Sequence, residues 1–177
     1  LPKLIMNIYH MAEPVQDGQT VDSYVNYVMS ILTSMEHFRH LAPALLRRFK
    51  ELPKLQNLKS TFCHGDYTLS NMRIDSNTDT LYLFDPNYKP QMWQHFLLDF
   101  GKLMQSYFFD YEHKIGLRAD PLSIKSRTAF VDELVRLDIA QEVSFFYVTH
   151  LIRMIRYIKD PKLYASVMQE IVAYVED

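Results

Sequence analysis

The residue types best suited to chemistry lie close together in this sequence: His64, Gly65 and Asp66 in succession, Asn71 five positions after Asp66, and Asp85 fourteen after Asn71. An amide oxygen and a carboxylate are hard oxygen donors, the kind that Mg²⁺ accepts alongside water and substrate phosphates. Asn71 and Asp85 share one end of a hairpin if Met72 to Ile74 pairs antiparallel with Leu81 to Leu83, because one residue precedes the first strand and the other follows the second. Asp66 sits in the loop that enters this hairpin. A carboxylate there can take the proton of an incoming hydroxyl, or orient that hydroxyl in line with a phosphoryl group.

Each residue taken alone has a plainer reading. His-Gly-Asp suits an ordinary turn, with Gly65 supplying a permissive dihedral and Asp66 capping backbone groups. Asn71 suits entry to a strand, and Asp85, followed by Pro86-Asn87, suits the start of a turn. The register of the three, not any one of them, is what carries the chemical reading.

The stretch His64-Gly65-Asp66-Tyr67-Thr68-Leu69-Ser70-Asn71, followed by an apolar strand ending in Leu83-Phe84-Asp85, resembles the catalytic core of the aminoglycoside phosphotransferase and choline kinase families. These are relatives of the protein kinases, whose loop carries Arg where this one has Gly65. The resemblance spans roughly Phe62 to Lys102. It implies that Asp66 is the catalytic base, that Asn71 and Asp85 bind magnesium, that His64 supports the loop, and that Asp99 braces it from the next helix. An alternative for Asp99 is a carboxylate favoured by the helix dipole.

Asp99-Phe100-Gly101 spells the metal-binding triplet of protein kinases, but lies 28 positions after Asn71 rather than 14, follows no strand, and places Phe100 on a helical face. Asp85 is the better magnesium ligand. No Ala-Pro-Glu motif accompanies the triplet.

Kinases also need a glycine-rich loop over the phosphates and a strand lysine paired with a helix glutamate. The chain has only Gly18, Gly65, Gly101 and Gly116, none clustered, and little room before Thr20 for a five-stranded small lobe. The expectation is a single domain over residues 1–177, the large C-terminal lobe of a longer enzyme, with the small lobe not present in this chain.

The elements that must position these residues follow from periodicity. Tyr24, Val25, Val28, Ile31, Leu32 and Met35 form one helical face between Thr20 and about Arg39, with Thr20 or Asp22 as cap. A shorter helix is expected over Ala42 to Lys50, and Thr61-Phe62-Cys63 has extended character. Gln94 to Tyr107 is helical in spacing, and after a loop from Asp110 to Asp120 the chain is helical to its end. Ile139, Val143, Phe146, Tyr147, His150, Leu151, Met154 and Ile158 mark a broad apolar face, against a narrower polar one of Glu142, Thr149, Arg153 and Arg156. Pro161 opens the last helix. The fold class is therefore α+β, mostly helical, with a small β-hairpin carrying the loop.

Other candidates read as structural. His37 and His40 are a solvated pair, and Cys63, the single cysteine, is a small buried hydrophobe that rules out an internal disulfide. Tyr107, Phe108, Phe109 and Tyr111 either line an acceptor pocket or pack in the core. The acidic residues in and near the Asp110 to Asp120 loop are compatible with a cationic acceptor, as are ordinary solvated loops.

A formal charge of −2 with scattered cations argues against nucleic acid as a partner. No apolar run approaches the roughly 18 residues of a membrane span, and the start lacks signal-peptide character, so a cytoplasmic protein is expected. The function that the resemblance implies is transfer of the γ-phosphoryl of ATP or GTP, with Mg²⁺, to a hydroxyl of an aminoglycoside, choline or sugar-like molecule. The competing expectations are a non-catalytic, pseudokinase-like binding module and a metal-dependent hydrolase using His64, Asp66 and Asp85.

Overall fold

The computed structural model describes residues 14–15, 19–56, 58–87, 92–117 and 122–176. Within them the chain is mostly helical with one small antiparallel sheet.

Helix α1 (Val21–Ser34) starts where Thr20 turns extended and its side chain accepts from the Ser23 amide. It ends earlier than the periodicity predicts, at an extended Met35, with a short 3-10 turn over Glu36–Phe38 beyond it. Ser30, Thr33 and Ser34 each bond a carbonyl three or four residues back, the local competition that weakens helices rich in these residues. Helix α2 (Leu41–Lys50) buries Leu41, Ala42, Leu45 and Phe49 on one face.

The extended segment at Thr61 is not a strand of a sheet: it makes one isolated bridge to Pro14. Its backbone is satisfied instead by the start of the next helix, Thr61 donating its amide to the Gln94 carbonyl and accepting at its hydroxyl from the Phe96 amide. The sheet is the hairpin of β1 (Met72–Asp75) and β2 (Thr80–Leu83), paired Met72 to Leu83, Arg73 to Tyr82 and Ile74 to Leu81. This is the register expected from the sequence. Asp75 caps its turn by accepting from the Asn77 amide.

Helices α3 (Phe96–Tyr107), α4 (Tyr111–Lys114), α5 (Ile124–Arg136), α6 (Ala140–Met154) and α7 (Pro161–Glu176) follow. The principal packing pair is α3 against α6, and α1, α5 and α7 surround α6. Gly101 explains how closely α3 and α6 approach: a Cβ there would lie 2.7 Å from the Phe146 carbonyl carbon and 2.8 Å from the Tyr147 amide. Its glycine serves helix packing, and Phe100 beside it is fully buried, so Asp99-Phe100-Gly101 is part of a core helix.

Helix α6 lies at the centre of the core, and half of its narrower polar face is buried too. Thr149 is fully buried and shares a 3.0 Å hydrogen bond with the Tyr24 hydroxyl, and Glu142 is buried as well. Helix α6 is enclosed on nearly all sides by its neighbours, which satisfy its few polar groups from within. Trp93, also fully buried, stacks against His95 and Phe146 and donates its indole N–H to the Leu58 carbonyl.

Candidate active site

Residues 63–71 form a loop fastened from below by one buried carboxylate. Asp99, fully buried in the first turn of α3, accepts from the His64 amide at 2.6 Å, the Gly65 amide at 2.8 Å and the Cys63 thiol at 3.2 Å. Burial pushes the Asp99 carboxyl up to about 6, against the lowering effect of these donors. The same contacts assign Cys63: burial raises its thiol well above the ordinary range, the Asp99 charge raises it further, and it is spent as a donor. Gly65 takes a φ of +81°, a conformation that needs glycine.

His64 completes the turn from within. Its Nδ1 accepts from the Asp66 amide at 3.4 Å, its carbonyl accepts from the Asn87 amide at 2.8 Å, and its ring lies edge-on to buried Tyr67.

Asp66 is half exposed and its two oxygens are held apart in role. Oδ2 accepts from the Asn71 side-chain amide at 3.0 Å, while the same amide nitrogen donates to the Asp66 carbonyl at 2.9 Å. Oδ1 faces the Lys102 ammonium at 3.5 Å. Asn71 therefore spends its NH₂ on the loop and keeps its carbonyl oxygen as the end able to meet a cation.

The far half of the loop has its own support. The Leu69 amide donates to the Ser106 hydroxyl, which donates in turn to the buried Glu112 carboxylate, tying loop, α3 and α4 together.

Asp85 stands where the register places it. Phe84 donates its amide to the Asn71 carbonyl at 2.9 Å, so Asp85 emerges beside Asn71 at the open end of the hairpin, exposed and at a φ of +52°. Left-handed backbone is unusual for a residue other than glycine and is tolerated best by Asp and Asn. Together Asn71 and Asp85 offer one amide and one carboxylate oxygen, a donor set that fits Mg²⁺ bound through few protein ligands, with water and phosphates completing its shell. Among the described residues no three His, Cys, Asp or Glu side chains group to hold a metal, which the hydrolase expectation would need.

Asp66 opens into a cleft of about 580 Å³ between the loop, α3, the α4 segment and the end of α6. Lys102, Tyr111, His150 and Arg153 line it opposite Asp66. Burial lowers the Lys102 ammonium, and the Asp66 charge counters that effect. His150 is drawn well below its usual range by burial and by the Arg153 and Lys102 charges, so it is neutral, its Nε2 bonded to the Leu98 carbonyl at 2.8 Å.

Of the aromatic cluster 107–111, only Tyr111 lines the cleft; Tyr107 stacks on Phe130 at 4.5 Å and Phe109 is buried, so both are core. Asp110 is committed to an ion pair with Arg127 and to the Leu122 amide. Residues 118–121, the end of the loop on which the expectation of a cationic acceptor rests, lie outside the described residues.

The sequence brought His64, Asp66, Asn71, Asp85 and Asp99 to notice. It did not single out Lys102, Ser106 or Glu112, and it placed Arg153 merely on a polar face. Lys102 is three positions after Asp99 and so shares its helical face, a signal that was legible. Ser106, Glu112 and Arg153 depend on packing between elements.

No protein-family model and no curated protein matches this chain. Among the described residues, no helix is long and apolar enough to cross a membrane.

Proposed function

We propose that the chain is the large lobe of a phosphotransferase of protein-kinase-like fold, which moves the γ-phosphoryl of a nucleoside triphosphate to a hydroxyl group of a small molecule. The observation that carries this reading is the pairing of Asp66 with Asn71 on a loop clamped by buried Asp99, with the carboxylate open to a cleft and Asp85 at the adjacent hairpin end. Such an arrangement suits positioning and charge stabilisation, which is most of what phosphoryl transfer asks of a protein.

In this reading Asp66 Oδ1 receives the acceptor hydroxyl, directs its lone pair toward the phosphorus and takes its proton as the new O–P bond forms and the nucleoside diphosphate leaves. Asn71 fixes the rotation of that carboxylate, and Lys102 balances charge near the transferred group. Mg²⁺, held by Asn71 Oδ1 and Asp85, would neutralise charge on the phosphates. His64 and Asp99 act through the loop backbone.

The test is Asp66→Asn in the full-length gene product. The substitution keeps the Asn71 contact available and removes the base, so transfer should fall by about 10² to 10⁴ with an unchanged thermal unfolding curve. Full activity in that variant sinks the reading. Titration with Mg-ATP distinguishes the binding-module alternative, which predicts no nucleotide-dependent stabilisation.

A further inference from the structure

The cleft in front of Asp66 has a charge pattern of its own. Among the described residues that line it, Lys102 and Arg153 are cationic, Asp66 is the lone carboxylate, and His150 is neutral. Asp66 and Lys102 face each other at 3.5 Å and largely cancel. Arg153 has no such partner.

The Arg153 guanidinium is largely withdrawn from solvent at the end of α6, set 5.9 Å over the Tyr24 ring and close to the Tyr24 and Tyr27 hydroxyls and His150 Nδ1. All of these are neutral groups. Among the described residues no carboxylate lies within ion-pair distance of it. The acidic side chains on and beside the helix that carries Tyr111 are engaged elsewhere: Glu112 is buried and accepts from Ser106, and Asp110 is paired with Arg127. Burial disfavours the Arg153 charge, but the Tyr24 and Tyr27 side chains outweigh that effect and hold the guanidinium above its usual range, so it stays a cation with no anion beside it. A planar guanidinium is matched in geometry by carboxylate and phosphate oxygens.

We propose that the cleft takes an acceptor bearing a compact oxyanion, a carboxylate or a phosphate, near its hydroxyl group, with the anion on Arg153 and the hydroxyl at Asp66. The assignment of the hydroxyl rests on the phosphotransferase reading; the anion subsite rests on the cleft alone. Tyr111 and Tyr27 supply flat walls and hydroxyls that suit a polyol or sugar skeleton between the two ends. A cationic acceptor would place its ammonium against Lys102 and Arg153 and meet one carboxylate already engaged by Lys102.

A matched panel separates these possibilities. Gluconate, glucose 6-phosphate, glucose and glucosamine share a skeleton and differ in charge, and calorimetric titration of the wild-type protein with each at millimolar concentration needs no variant to fold. Gluconate or glucose 6-phosphate should bind at least about tenfold more tightly than glucose, with glucosamine weakest; the order of the two anions identifies carboxylate or phosphate as the preferred group. Arg153→Gln should erase the preference, and Arg153→Lys should keep part of it.

Glucosamine binding as tightly as gluconate overturns the inference, as does an anion preference that survives Arg153→Gln or the absence of heat with either anion. Transfer assays on the full-length product separate this from the wider reading. Phosphorylation of glucosamine but not gluconate would overturn the anion subsite and leave phosphotransfer standing; gluconate binding without transfer to any hydroxyl would do the reverse.

Discussion

The two carboxylates at the mouth of the site are held in opposite ways. Asp66 sits on a loop with a buried anchor at Asp99, an amide on one oxygen and an ammonium facing the other. Asp85 sits exposed at the end of a two-stranded hairpin, in left-handed backbone, with no hydrogen bond or ion pair to its side chain among the described residues. The difference separates a carboxylate that the fold holds from one that it leaves open. The loop is preorganised by packing, as the proposed transfer requires of a group that positions a reacting atom, whereas the hairpin end presents a carboxylate that no described residue engages.

That contrast is broken most directly at Asp85. Asp85→Gly removes the carboxylate and relieves the positive φ, so the folded protein should unfold at the same temperature as the wild type or slightly higher. Transfer should nevertheless fall by about a hundredfold or more, as expected when a metal ligand that neutralises phosphate charge is lost. Equal losses of activity and stability would mean that Asp85 is a structural turn residue and that the two carboxylates are not held differently.

Asp99 supplies the second largest effect, and its sign differs from that of a salt-bridged carboxylate. Its carboxyl is raised from 3.8 to about 6, chiefly by burial. Between those values the folded chain binds more protons than the unfolded one, so the contribution of Asp99 to stability is present below pH 4 and is lost as pH rises through about 6. The shift corresponds to roughly 3 kcal/mol over that window. Urea unfolding between pH 4 and 7 should show this decline in the wild type and a flatter profile in Asp99→Asn. The variant offers one acceptor oxygen in place of two to the His64 and Gly65 amides, so its transfer rate should drop as the loop loosens.

The hairpin register was legible because turn chemistry and a period of two both lie within a dozen residues, and the same register located Asn71 and Asp85. The brace at Asp99 was legible only through family resemblance, and sequence alone left helix-dipole stabilisation equally open. What distinguishes the two is geometry: the carboxylate turns to the His64 and Gly65 amides, 35 and 34 residues away. Thr149 shows what periodicity leaves unread on α6. Its hydroxyl is satisfied by Tyr24, 125 residues distant, so a polar residue at a polar helical position is nonetheless in the core. Thr61 to Cys63 was legible as extended but its partners were not, for a related reason: Thr61 bonds to the start of α3, and apolar run length cannot tell a sheet partner from a helix terminus.

Gly101 tests how far the loop depends on the helices beneath it. Alanine there would meet backbone atoms of Phe146 and Tyr147 at 2.7 to 2.8 Å, contacts that no side-chain rotation relieves. The expected cost is about 1 to 3 kcal/mol, the range of overpacked cores, measured by chemical denaturation. Because α3 carries both Asp99 and Lys102, separating it from α6 should also shift the Asp66 loop and lower transfer, although Gly101 touches neither substrate nor metal. A glycine that mattered only as part of a metal-binding triplet would instead give an alanine variant of normal stability.

The smallest effect is one of dynamics. The His64 and Gly65 amides donate to a carboxylate inside the core, while the Phe84 amide donates to the Asn71 carbonyl at the rim of a hairpin whose Arg73, Ile74, Thr80 and Tyr82 are exposed. Two-stranded hairpins have little stability of their own, so Phe84 should exchange its amide hydrogen faster than Gly65 by an opening free energy on the order of 1 to 2 kcal/mol. Native-state hydrogen exchange followed by NMR reads both amides in one experiment. Adding Mg²⁺ and a nucleoside triphosphate to the full-length product should slow Phe84 more than Gly65, since ligand binding would secure the end of the hairpin and leave the loop as it was. Equal protection of the two amides without ligand would show that the hairpin is already as firmly held as the loop, and the distinction drawn between Asp66 and Asp85 would fall with it.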